Sequence, residues 1–105
     1  MECGFWKGLD AAQRGDFEAV LRECTPLAEQ GRANAQTNLG ILYYYGQGAD
    51  QDNVYAYMWA NMSAENGGEN GARLPDLIAG RMTPSQIERA QDLGRECVAK
   101  DYKNC

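Results

Sequence analysis

The chain has 105 residues and a net charge of −5, from 10 Lys and Arg against 15 Asp and Glu, with no histidine. That length holds one small domain, and an acidic balance without a basic stripe argues against nucleic-acid or anionic-membrane binding. No apolar run approaches the ~18 residues that span a bilayer, and the lack of histidine removes the commonest general base and metal ligand, which weighs against an enzyme.

Phe5 to Arg14 reads as a short helix with Phe5, Leu9 and Ala12 on one face, broken at Gly15. Asp16 is a good N-cap for a second helix from Phe17 towards Gln30, with Val20, Leu21, Cys24, Leu27 and Ala28 apolar. Pro26 lies inside it and is expected to kink it, and Gly31 suits the residue just past its end. A third helix is expected from Ala33 to Tyr45, then a glycine-rich loop from Gly46 to Asp52. The fourth helix spans Asn53 to Asn66 and stops at Gly67-Gly68. A weaker fifth covers Glu69 to Arg81, its start left open by Pro75. Thr83-Pro84-Ser85-Gln86 is the sharpest local pattern: an N-cap, a proline at the first helical position and a capping-box glutamine, opening a helix to Ala99. A short tail, Asp101 to Cys105, closes the chain. Val54 to Trp59 comes nearest to a strand, but Tyr55, Trp59 and Met62 fall on one helical face. The reading is six helices in three hairpins.

Ala28-Glu29-Gln30-Gly31 recurs as Ala64-Glu65-Asn66-Gly67, 36 residues on. A period in the 30s is typical of stacked helical-hairpin repeats, which usually serve as binding scaffolds. Within residues 32–67, Ala35, Leu39-Gly40, Tyr43, Gly46-x-Gly48, Asp52, Ala56, Trp59, Ser63-Ala64 and Gly67 stand in the order of a known pattern. This segment resembles one Sel1-like repeat, a relative of the tetratricopeptide repeat. Ala49 and Ser63 depart mildly, standing where the family often has Val and a first small Ala. Residues 5–31 resemble a degenerate preceding repeat, and 68–105 is similar to the terminal helix pair of many small bacterial proteins of this family. The resemblance implies one all-α domain over residues 1–105, a short right-handed α/α solenoid of about three helical hairpins with a C-terminal capping helix. The pattern residues also have structural reasons of their own. Gly40 permits close helix approach, Tyr43 and Trp59 bury area while keeping a polar tip, Gly46 and Gly48 permit chain reversal, and Asp52 can cap the fourth helix.

Cys3, Cys24, Cys97 and Cys105 form an even set with no CxxC, and four cysteines allow three pairings. In the repeat frame, Cys3 and Cys24 fall at the same end of the first hairpin, and the tail can return Cys105 to Cys97 on the last helix. Cysteine-rich secreted members of the family staple hairpins in a similar way. The expectation is therefore Cys3–Cys24 and Cys97–Cys105, each contributing ~2–4 kcal/mol, in an oxidising compartment. Met1-Glu2 runs straight into Cys3 with no signal peptide ahead of it, so a periplasmic or secreted protein is expected to have had one removed.

Asp50-x-Asp52-Asn53 lacks the remaining ligands of a calcium loop, and Ser63 and Ser85 have neither a histidine nor a Ser-x-x-Lys to activate them. No catalytic, metal or cofactor site is expected. Tyr43, Tyr44 and Tyr45 are consecutive and cannot all face one way on a helix. The family's first helix in each hairpin lines the concave surface, which makes Gln36, Asn38, Ile41, Tyr44 and Tyr45 candidate partner contacts. The resemblance implies a non-enzymatic, exported adaptor that binds a protein or peptide of unknown identity on that face. Two alternatives stand beside it. One is a self-assembling structural protein whose copies meet through Phe5 and Trp6. The other is a weak cell-wall or β-lactam hydrolase, as suggested for cysteine-rich relatives.

Overall fold

The computed structural model describes residues 17–47, 49–68 and 73–105. Among them the chain is all-helical: α1 (Phe17–Ala28), α2 (Ala33–Tyr45), α3 (Asn53–Glu65), α4 (Arg73–Ala79) and α5 (Pro84–Ala99). The expected helix at 5–14 lies outside the described residues, as do Cys3, Phe5, Trp6 and Gly48.

α1 packs on α2, α2 on α3, and α3 against both α4 and α5. α3 is therefore the hub, and its sequence suits the position, because Ala56, Met58, Trp59, Ala60, Met62 and Ser63 are all buried. Met58, Trp59 and Met62 join Val20, Cys24, Ala28, Ala35, Leu39, Leu42 and Cys97 in the main core. Ala56 and Ala60 form a smaller cluster with Ile78 of α4, flanked by Tyr43, Tyr44, Leu74 and Met82. Serving two cores leaves α3 only a narrow outward strip, where the Asn61 amide donates to Glu65 at 3.0 Å.

Small residues set the α2–α3 spacing. A Cβ on Gly40 would lie 3.2 Å from the Ala56 carbonyl oxygen and 3.4 Å from Ala60 Cβ. Glycine is otherwise unfavourable in a helix interior by about 1 kcal/mol against Ala, so its place here rests on this close approach. The connecting loop is fixed at both ends. Gly46 takes a left-handed φ of 68° and its N–H bonds the Leu42 carbonyl, while the Asp52 N–H reaches the Tyr43 carbonyl at 2.9 Å. The Asp52 carboxylate then accepts from the Val54 and Tyr55 N–H groups at 2.9 and 3.1 Å, satisfying donors that a helix start leaves open. At α5, Thr83 and Gln86 form the full capping box with Pro84 in the first turn.

The duplicated tetrapeptide is one hydrogen-bonding unit used twice. After α1, Gly31 (φ 85°) donates to Ala28 and Arg32 donates to Leu27. After α3, Gly67 (φ 83°) donates to Ala64 and Gly68 donates to Ser63. Both are Schellman caps, in which a left-handed residue lets two N–H groups close the last free carbonyls. A third copy ends α5, where Asp101 (φ 55°) donates to Val98 and Tyr102 donates to Cys97. It lies 34 residues beyond Gly67, with aspartate where the others have glycine.

Three helices end earlier than expected, α3 among them, at Glu65 rather than Asn66. α1 stops at Ala28 rather than Gln30, because its cap begins there. α1 runs through Pro26, which sits on the exposed face, and the Thr25 hydroxyl donates to the Leu21 carbonyl at 2.7 Å. α4 is described over Arg73–Ala79 and ends before the expected Arg81, while residues 69–72 of the expected helix lie outside the described residues.

Cys97 and Cys105 are disulfide-bonded with Cα atoms 5.5 Å apart. Cys24 is fully buried and also disulfide-bonded, and the Cys3 half of the expected Cys3–Cys24 bridge lies outside the described residues.

Candidate interaction surface

α2 is buried along Ala35, Gln36, Leu39, Gly40 and Leu42. That leaves Asn34, Asn38, Ile41 and Tyr45, spaced by 4, 3 and 4, on the opposite stripe. The five expected contact residues therefore divide. Tyr45 is 63% exposed, one of the most exposed large apolar side chains described. Ile41 and Tyr44 are half-buried. Asn38 is half-buried too and its amide reaches Cys24 Sγ at 3.9 Å, which turns it towards α1.

Gln36 does not belong to the surface. It is 0% exposed, its Nε2 donates to the Ala28 carbonyl at 3.1 Å, and its Oε1 accepts from Asn66 at 3.0 Å. A buried amide persists only with its polar atoms paired, and this one ties the end of α1 to the end of α3. Sequence spacing placed it beside Tyr44; the two-sided burial of α2 turns it inward.

The C-terminal end of α2 meets α4 and the start of α3 around a groove of about 520 Å³, lined by Tyr44, Tyr45, Gln51, Asn53, Leu77 and Arg81. Tyr44 and Tyr45 meet edge to face with ring centroids 4.9 Å apart. The Arg81 guanidinium lies 5.7 Å from the Tyr44 ring centroid, within cation–π range. Leu77 is 57% exposed on the α4 side. Gln51 donates to Asn53 Oδ1 at 2.6 Å and to the Tyr44 carbonyl at 3.4 Å, fixing the loop that forms one wall. Leu77, Arg81, Gln51 and Asn53 were not expected here. Nothing in their local sequence marks them, since their meeting with Tyr44 and Tyr45 depends on α3 holding α4 beside α2.

Tyr43 faces the other way. Its ring lies 5.5 Å from that of Tyr55. Burial, with Tyr55 and Asp52 beside it, raises its pKa above the ordinary 10.0. A phenol held more firmly protonated suits packing and not nucleophilic chemistry. The remaining pattern residues lie in structural positions. Ala35, Leu39, Gly40, Ala56 and Trp59 are buried, Ala64 is half-buried beside the cap of α3, and Gly46 and Gly67 are left-handed helix ends. Among the described residues no group of three or more His, Cys, Asp or Glu is placed to hold a metal ion, and no helix is long and apolar enough to cross a membrane.

Part of the chain is similar to an uncharacterised protein of Neisseria meningitidis serogroup B, with 49% identity over 41 residues. That match covers 39% of this chain and 8% of the relative. No family model and no solved structure matches.

Proposed function

We propose that this chain is a non-enzymatic protein–protein interaction module, a Sel1-like repeat adaptor that binds a protein or peptide at the α2–α4 groove. The observation that carries the reading is the pairing of Tyr45, 63% exposed, with Leu77, 57% exposed, across a groove floored by Tyr44 under Arg81. Aromatic and arginine side chains are the favoured anchors of protein interfaces, and large side chains exposed together on two elements are a docking pattern more than a random surface. The solenoid architecture is supported by the three matching caps, which end α1, α3 and α5 at intervals of 36 and 34 residues. In a stack of hairpins these would be the second helices, and α2 and α4 the first helices that line the concave side. The Cys97–Cys105 bridge supports an oxidising compartment, and we place the protein in the periplasm or outside the cell.

A photo-crosslinking amino acid at position 45 tests this, with the same group at the exposed position 88 of α5 as control. Crosslinks from position 45 to one discrete polypeptide, absent from position 88, are expected. Crosslinks only to a second copy of the chain would favour self-assembly, and equal yields from the two positions would refute the groove as a binding site.

A further inference from the structure

We propose that the C-terminal loop closed by Cys97–Cys105 is a redox-released latch, holding the end of α1 against α2 and α3 when oxidised and letting it go on reduction. Three non-glycine residues in this loop, Asp101, Tyr102 and Asn104, have left-handed φ values of 55°, 64° and 57°. Such backbone persists where its surroundings over-determine it, and here the surroundings are one covalent bridge and a small set of contacts. Lys103 Nζ donates to the Glu29 carbonyl at 2.8 Å, and the Asn104 N–H donates to Glu29 Oε2 at 3.3 Å. The Tyr102 ring lies against Gly31, so close that a Cβ there would be 3.4 Å away. The Tyr102 hydroxyl accepts from the Asn66 amide at 3.4 Å, and Tyr102 and Cys105 both pack on the main core. The loop thus touches the caps of α1 and α3 while itself capping α5.

The two sulfurs are unequal. Cys97 is 1% exposed, whereas Cys105 is only half-buried, so an approaching thiolate reaches Cys105 first. The reductant is a dithiol. Its first thiolate bonds to Cys105 Sγ while the Cys97–Cys105 bond breaks, and Cys97 leaves with the electron pair and takes a proton. The second thiol then closes on the first sulfur of the reductant, and Cys105 leaves and takes the other proton. Two electrons and two protons pass to the protein, and the dithiol becomes a disulfide. With the bridge open, nothing covalent holds Asp101, Tyr102 and Asn104 in the left-handed region. The loop relaxes, and the Glu29, Gly31 and Asn66 contacts go with it.

Hydrogen exchange read by mass spectrometry tests this on the full chain, comparing the parent with Cys105→Ser. The variant opens this bridge and leaves the one at Cys24 in place. Exchange in peptides covering 27–32 and 97–105 is expected to quicken roughly thirtyfold, the factor that two ordinary hydrogen bonds supply, with α2 and α3 unchanged. Unchanged exchange at 27–32 would overturn the latch. So would equal loss across α2 and α3, because the bridge would then hold the whole fold. A second measurement does not depend on the variant: the parent is titrated with dithiothreitol and the freed thiols are alkylated. Labelling of Cys97 and Cys105 at concentrations that leave Cys24 oxidised is expected; Cys24 opening first would overturn the proposal.

Discussion

Gly40→Ala is the most direct test of how α2 and α3 are held. The new Cβ would lie 3.2 Å from the Ala56 carbonyl oxygen, 3.3 Å from the Ala60 nitrogen and 3.4 Å from Ala60 Cβ. Two of these neighbours are backbone atoms in the middle of α3, so the clash is relieved only by moving helices apart. Alanine gains about 1 kcal/mol in helix propensity over glycine. Prising two packed helices apart by a few tenths of an ångström costs about 1–3 kcal/mol. The expected net result is a loss of about 1 kcal/mol. Gly40→Val keeps the clash, adds two methyl groups and forgoes most of the propensity gain, so a loss of about 3 kcal/mol or more is expected. Urea unfolding of the oxidised protein measures both, and an unchanged m-value would show that the denatured state is the same. A Gly40→Ala protein more stable than its parent by about 1 kcal/mol would refute the reasoning, because propensity alone would then decide this position.

Asp101→Gly should stabilise the chain by about 0.5–1 kcal/mol, read as a higher melting temperature, because glycine adopts φ 55° without a Cβ penalty. Gln36→Ala should cost roughly 2–4 kcal/mol in the same assay, since it opens a cavity at a fully buried site and removes the hydrogen bonds to the Ala28 carbonyl and the Asn66 amide. Raised pH gives a further test through Tyr43. Its folded pKa lies above the unfolded value, so its contribution is present below pH 10 and lost as pH rises through the folded pKa. Stability should fall above pH 10, and Tyr43→Phe should flatten that fall in a series of urea titrations.

Local signals were legible where they were self-contained. The box at Thr83, the N-cap at Asp52 and the glycine stops at Gly31, Gly46 and Gly67 each involve residues within a few positions of one another, so α2 and α5 could be bounded from sequence. The third cap was hidden, because aspartate at 101 does not advertise a left-handed turn as glycine does. Gln36 was misplaced for a different reason. Its partners, Ala28 and Asn66, are 8 and 30 residues away, and burial on two sides erases the periodicity that would have marked it as inward. Tyr44 and Tyr45 stood out as neighbours of a core tyrosine. Leu77 and Arg81 did not, since an ordinary amphipathic turn carries no sign of which helix it will face.

The three matching caps also have an electrostatic consequence. Each helix carries about half a negative charge at its C-terminal end, and the contacts among Glu29, Asn66 and residues 102–104 bring the ends of α1, α3 and α5 to one pole of the molecule. Like dipole ends repel, and the chain as a whole is already acidic. The tail answers with cations: Lys103 donates to the carbonyl of Glu29 just past α1, and Lys100, at the end of α5, donates to that of Asn104. What reads in the sequence as a short, charged terminus is the counter-charge that lets three parallel helix ends sit side by side.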